Sequence, residues 1–431
     1  MKFQTALATI LLLAATAQAQ NLRSLKGVAT PSPALTGVVR DREALVALGK
    51  AFFWDMQAGS DGRTACATCH FHAGADLRPQ NQLADPNGPF PVNRLLSTVT
   101  SPLHSLSDPN SRNSLVLWDT SMRVGSAGGF RRSFQDVVLG EAAELGTDLL
   151  DRPEFMVGGL QVRRVTSRNS PSVINAVFSV RNFWDGRASR TFNGFTPSGL
   201  AADAPGVLVC EGNGLSRQPI ALDNASLASQ AVGPAMDHLE MSYAGRTWPK
   251  LAKKLLSLRP LGLQRVAIDD SVLGSMARQG ATGLQDQVTY SSLIERAFEP
   301  RLWESPQLVD ISGTALNGRL GSPANTSEFT QTEYNFPLIW GLALYAYQAT
   351  LISNDSPFDR FMDGDTAALT PEQQDGMRFF QTTGRCTTCH NGAEFSAASF
   401  TASGNGGRNG NRAFQRTGVR PVEDDAGSGG G

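Results

Sequence analysis

The chain has 431 residues, with 38 Lys+Arg against 39 Asp+Glu, 41% hydrophobic and 18% charged residues. That length and composition exclude a disordered chain and leave room for two or three domains, each with its own core. The net charge of -1 argues against nucleic acid or an anionic membrane as the main partner, and five Cys are too few for a disulfide scaffold.

In chain order, residues 1–19 read as a secretory signal. Lys2 precedes the short apolar run Ala6–Ala15, and Ala17-Gln18-Ala19 is a small-residue cleavage site, which places the mature start at Gln20. No later stretch holds eighteen consecutive apolar residues, so an exported, periplasmic chain without a membrane span is expected. Asp41–Trp54 reads as a helix, with Asp41 as cap and Leu45, Leu48 and Phe52 at helical spacing. A Gly- and Asp-rich loop (55–64) leads to Cys66, and a polar loop rich in Pro, Asn and Gly follows over 71–94. Ser170-Pro171 reads as a helix start ahead of Val173, Ile174, Val177 and Phe178. Further helices are expected over Thr247–Leu258, Leu284–Phe298 and Phe336–Leu351, the last as a buried core helix. Thr370-Pro371-Glu372-Gln373 is a capping-box start for a helix that brings Phe379 and Phe380 toward the second Cys cluster. The tail from Ala402 is Gly- and Asn-rich with little periodicity. No strand alternation competes with these signals, so the expected class is mainly α with long loops.

Cys66-Ala67-Thr68-Cys69-His70 and Cys386-Thr387-Thr388-Cys389-His390 are both C-x-x-C-H. This is the attachment pattern of c-type haem: two thiols add to the vinyl groups and the adjacent His supplies an axial nitrogen. Two copies in a chain with five Cys and five His are not chance. A thioredoxin-like redox site lacks its βαβ pattern here. Shared zinc ligation would need pairs closer in sequence. Cys210 is left over and reads as an unreactive thiol.

Several segments resemble the bacterial dihaem cytochrome c peroxidase family, which includes the MauG-like enzymes. They are Leu48–Asp55; Arg168-Asn169-Ser170-Pro171 through Ala176, followed by Phe183-Trp184-Asp185-Gly186-Arg187-Ala188; Gln230–Pro234 continuing to Glu240-Met241; and Ser356–Phe361 with Gly364-Asp365. The resemblance implies two c-type cytochrome-like haem domains, here 20–353 and 354–431. His70 would be the proximal ligand of the peroxide-reacting haem and His390 that of the electron-transfer haem. Glu240 matches the distal acid, Gln230 its hydrogen-bonding neighbour, Trp184 the tryptophan placed between the haems, and Asn169 a calcium-site residue. The implied activity is reduction of hydrogen peroxide to water with electrons from a small cytochrome c or copper protein. Moving a proton from one peroxide oxygen to the other is work for a positioned carboxylate, which suits Glu240. Other readings are MauG-like oxidation of a protein substrate, a dihaem electron carrier without peroxide chemistry, and a zinc-binding exported protein.

Three departures from the pattern stand out. The stretch Gly158–Arg164 lacks the His that closes the peroxidatic iron at rest in many members, leaving His72, His104 and His238; an iron open at rest is expected. Two stretches, about Pro102–Val165 and Thr191–Ser226, exceed the pattern and read as loop-rich insertions. No Met or Tyr follows Met377, so the usual sixth ligand of the C-terminal haem has no counterpart and the C-terminal domain reads as incomplete.

Overall fold

A computed structural model describes residues 22–76, 82–84, 94–95, 104–107, 115–119, 123–151, 155–157, 159–166, 168–212, 214–402 and 414. The signal and its cleavage site lie outside them. The chain divides into two compact units, one of Pro33–Ile174 and Ala188–Leu351, the other of Met1–Ser32, Asn175–Arg187 and Ile352–Gly431.

The larger unit is built on the crossing of two thirteen-residue helices, α1 (Arg42–Trp54) and α7 (Phe336–Gln348). Asp41 caps α1, its carboxylate accepting from the amides of Glu43 and Ala44 at 2.9 and 3.1 Å. Every residue of α7 is buried, as its unbroken apolar run requires. At the crossing Gly49 lies so near α7 that a Cβ would fall 1.8 Å from the Ala343 carbonyl oxygen. Glycine there lets the two backbones touch. Beside it Phe52 packs on Tyr290 and Trp340, with centroids 4.9 and 4.7 Å away. The intervening elements are α2 (Cys66–Cys69), α3 (Ser226–Ala231), α4 (Trp248–Leu256), α5 (Tyr290–Ala297) and α6 (Gln331–Tyr334). Trp340 Nε1 donates to the Ala231 carbonyl at 3.0 Å and so ties α3 to α7.

The mainly-α expectation is wrong. The described residues hold nine α-helices, but also thirteen strands of two to six residues. Most pair as two-stranded antiparallel hairpins, such as 132–136 with 145–148, 207–211 with 214–218, and 307–309 with 315–320. Many of these strands occupy the stretches read as loop-rich insertions. Ribbons this short give alternation no room to register, and their pairing is set by turns and neighbours. The helix expected after Ser170-Pro171 is also absent. That segment runs along residues 70–76, where its backbone groups find partners: the Asp76 amide donates to the Ser170 carbonyl at 3.3 Å and the Val173 amide to that of Ala73 at 3.2 Å. Only a 3₁₀ turn, Ala176–Phe178, follows.

In the smaller unit, α8 (Pro357–Met362) and α9 (Pro371–Gln381) each begin with a capping box, from Ser356/Asp359 and Thr370/Gln373. Asp359 also accepts from the Leu25 amide at 2.8 Å. Asn175, at φ 61°, exchanges two 2.8 Å hydrogen bonds with the Ser353 backbone. The Val180 amide donates to Ala398 and that of Phe400 to Phe178, both at 2.9 Å, which binds 175–187 to the segment after the second Cys cluster. Among the described residues no helix is long and apolar enough to cross a membrane.

Candidate haem and peroxide site

The first Cys motif is a single helical turn. Cys66 and Cys69 bound α2, and His70 is its C-cap, its amide donating to the Cys66 carbonyl at 2.9 Å. His70 Nδ1 lies 2.8 Å from the Pro171 carbonyl oxygen. A carbonyl only accepts, so Nδ1 carries the proton and the lone pair of Nε2 is left for a metal. Burial pushes the imidazole pKa down, against the Pro171 hydrogen bond and the charge of buried Asp76. The ring is therefore neutral and fixed in tautomer, which is what an axial ligand needs, and a nearby carboxylate strengthens its basicity. Phe53, at the end of α1, lies 6.3 Å from the ring. Sequence reasoning took Ser170-Pro171 for a helix cap and so missed both Pro171 and Asp76. The signal was there in the Pro, whose backbone offers only an acceptor.

The Cys66 thiol is pushed up to about 12, first by burial, then by Cys69 and Glu240. Among the described residues no group of three His, Cys, Asp or Glu is placed to hold a metal ion.

The second motif repeats the arrangement. Cys386–Thr388 is a 3₁₀ turn, and His390 Nδ1 lies 3.1 Å from the Phe395 carbonyl oxygen. Phe380, near the end of α9, lies 6.2 Å from the His390 ring, while the Phe379 ring is largely exposed. Each motif is thus a helix with Phe-Phe in its last turn, a Cys-x-x-Cys turn, and a His whose Nδ1 is fixed by a carbonyl. Both residue sets fit covalent haem. His390 and Cys389, unlike their counterparts, are exposed.

The loop that carries Glu240 is hydrogen-bonded to the segment that leads to the first motif. Glu240 is half-buried in a turn where the amides of Glu240, Met241 and Ser242 donate to the Asp237 carbonyl at 3.2, 3.1 and 3.0 Å. Gly129 donates to the Leu239 carbonyl at 2.9 Å, and the Ser60 amide to that of Met241 at 2.8 Å. A Cβ on Gly128 would fall 1.9 Å from the Leu239 oxygen. Gln230 is half-buried on α3, ten residues earlier in the same connection. His238 is exposed, and His104 lies on a strand in register with Asp119. The Asn169 amide donates to the Asp76 carbonyl at 3.2 Å. Trp184 belongs to the smaller unit and is 63% exposed, so it is not a packed core aromatic. Its neighbours Asp185 and Arg187 form a 2.8 Å ion pair with the guanidinium 3.8 Å over the Phe183 ring. Cys210 lies half-buried on strand 207–211.

Buried behind the Glu240 loop is a group that sequence reasoning missed. Glu144 accepts from Arg246 at 2.8 Å, from Lys254 at 2.7 Å and from the Ser60 hydroxyl at 2.5 Å, and all three charged side chains are fully buried.

Two anchored histidines on Cys-x-x-Cys turns define a c-type protein that carries two haems. The sequence pattern of the di-haem cytochrome c peroxidases matches residues 43–367, and the chain belongs to that family. It is 26% identical to the cytochrome c551 peroxidase of Pseudomonas aeruginosa over 52% of this chain and 36% of that protein. It is 23% identical to the cytochrome c peroxidase Ccp of Escherichia coli over 54% and 28% of the two, and 29% identical to a cytochrome-c peroxidase of Denitromonas iodatirespirans over 29% of each. The chain thus spans about a third of the length of these relatives.

Proposed function

We propose that this protein reduces hydrogen peroxide to water at the His70 haem, with electrons from a small redox protein entering at the His390 haem. The observation that carries the proposal is that the residues flanking Glu240 are held from outside, Met241 by the amide of Ser60, six residues before Cys66, and Leu239 by that of Gly129. The haems supply the redox chemistry: two electrons and two protons convert one peroxide into two waters. His70, fixed through Pro171, holds its ring for axial ligation. The Glu240 carboxylate takes the proton from one peroxide oxygen and returns it to the other, so that the leaving group departs as water. Gln230 is assigned to orient Glu240 or the peroxide by hydrogen bonding. Trp184 offers an exposed indole for electron passage, and Asn169 is assigned to calcium. The chain is placed in the periplasm, with a small cytochrome c or copper protein as donor.

The test is peroxide-dependent oxidation of a reduced small cytochrome c by haem-loaded protein, once fully oxidised and once with one haem pre-reduced. Turnover from the fully oxidised form is expected, because residues 158–164 carry no His to close the iron. Turnover only after pre-reduction means that another side chain closes the site at rest. No turnover in either form overturns the proposal.

A further inference from the structure

The segment 126–148 belongs to a stretch that exceeds the pattern of the resemblance, yet it meets the Glu240 loop at several points. Gly129 donates to Leu239. Strand 132–136 then runs parallel to Ala244, whose amide donates to Arg132 at 2.8 Å and whose carbonyl accepts from Phe134 at 2.9 Å. Arg132 donates to the Tyr243 hydroxyl at 3.1 Å and lies 5.0 Å over that ring. At the far end Glu144 reaches into the core, and its partners bring three segments to one carboxylate. Arg246 also donates to the carbonyls of Ala58, at 2.9 Å, and Ala235, which grips both ends of the 235–246 loop. Lys254 donates to Gly59 at 2.8 Å, and the Ser60 hydroxyl accepts from the Tyr243 amide at 2.8 Å. Residues 58–60 lead directly into the first Cys motif. The carboxylate of Glu144 thus joins the chain that carries Glu240 to the chain that carries Cys66 and His70.

We infer that segment 126–148 is a positioning clamp for the peroxide site and that Glu144 is the positioning residue at its centre. It never touches the substrate. It fixes where the Glu240 carboxylate stands relative to the first haem by holding Arg246 and Ser60 in one place. A displacement of about 1 Å in such a group costs on the order of 100-fold in rate. This inference rests on the assignment of Glu240 in the proposed function.

The experiment measures the second-order rate constant for peroxide in haem-loaded wild type, Glu144→Gln, Glu240→Gln and the double variant, with hydrogen exchange of amides 240–242 alongside. Glu144→Gln is expected to lose about 10- to 100-fold in the peroxide rate constant, to keep the KM for the reduced donor, and to exchange amides 240–242 faster. The same change in the Glu240→Gln background should cost nothing more, because the group it positions is gone. A full further loss in that background, or wild-type rate and protection in Glu144→Gln, overturns the clamp while leaving Glu240 in its role. An undiminished rate in Glu240→Gln overturns the Glu240 assignment itself, and the clamp with it. Should Glu144→Gln not yield haem-loaded protein, Arg132→Gln loosens the same loop from its partly exposed side. It is held to the same outcomes.

Discussion

Replacing Gly49 by Ala sets two known effects against each other. Alanine is worth about 1 kcal/mol over glycine inside a helix. At Gly49, however, the added Cβ would fall 1.8 Å from the Ala343 carbonyl oxygen, 2.5 Å from its carbon and 3.0 Å from the Tyr347 Cβ. Ordinary contact begins near 3.4 Å, so α1 must lift from α7 by more than an ångström at their crossing, and α7 is buried throughout. Overpacking of this kind costs about 3 kcal/mol, which leaves a net loss of about 2 kcal/mol after the propensity gain. Gly376→Ala on α9 is the matched control. Nothing lies within 4 Å of its added Cβ, so only the propensity gain and the stiffer unfolded chain remain, for a gain of about 0.5–1 kcal/mol. The two glycines lie in different units, so a single melting temperature would blend them. Native-state hydrogen exchange reads α1 and α9 separately. Protection in α1 should fall in the first variant and that in α9 should rise in the second. Unchanged or higher protection of α1 in Gly49→Ala would refute the close-approach argument.

Replacing Cys66 and Cys69 together by Ala should lower covalent haem from two per chain to one, read as haem that survives denaturing extraction; the Cys386/Cys389 pair should do the same, and retention of both haems would contradict the attachment. Glu144 links stability to acid. Burial raises its pKa but Arg246 and Lys254 outweigh that, so the net shift is downward from 4.5. On acidification the unfolded chain takes up this proton first. The contribution is complete above pH 4.5 and is lost as pH falls through the folded value. The gap in urea midpoint between wild type and Glu144→Gln should therefore narrow below pH 4.5, and a gap constant down to pH 3 would count against the buried ion cluster. Gly128→Ala puts a Cβ 1.9 Å from the Leu239 carbonyl oxygen. The Gly129 amide, which donates to that oxygen, should exchange faster, and unchanged exchange would show that segment 126–148 yields without moving the loop.

What the sequence shows of this fold is mostly local. Asp41 and Thr370 cap the helices that follow them, because a cap is written within four residues. The apolar run of α7 announces its burial, and the two Cys motifs announce haem. What it hides is non-local. The hairpins at 132–148 and 207–218 depend on pairing and turn geometry rather than on alternation. Ser170-Pro171 has the composition of a helix start, but its carbonyls are taken by Asp76 and His70, which no window of the sequence brings together. Lys253 and Lys254 look like ordinary basic residues in the last turn of α4. Only the fold shows that Lys254 reaches Gly59 and Glu144 in a fully buried site.

That buried cluster bears on how an acid–base residue can work from a loop. Residues 234–246 contain one 3₁₀ turn, and the amides of Glu240, Met241 and Ser242 converge on the Asp237 carbonyl, but these local bonds shape the turn without tying it to residues 58–60. Fixing it with an apolar plug would avoid the cost of burying charge, and well-packed hydrophobic replacements for buried ion pairs are often at least as stable. An apolar plug, however, tolerates sliding, whereas Glu144 holds Arg246, Lys254 and Ser60 at hydrogen-bonding distances of 2.8, 2.7 and 2.5 Å. Those directional contacts specify one position for the loop relative to residues 58–60, and proton transfer requires that specification more than it requires stability. The same reasoning explains why the distal group alone does not make the site. On the proposed function the carboxylate of Glu240 carries the chemistry, and on the inferred clamp the carboxylate of Glu144, in a segment with no motif of its own, sets where that chemistry can occur.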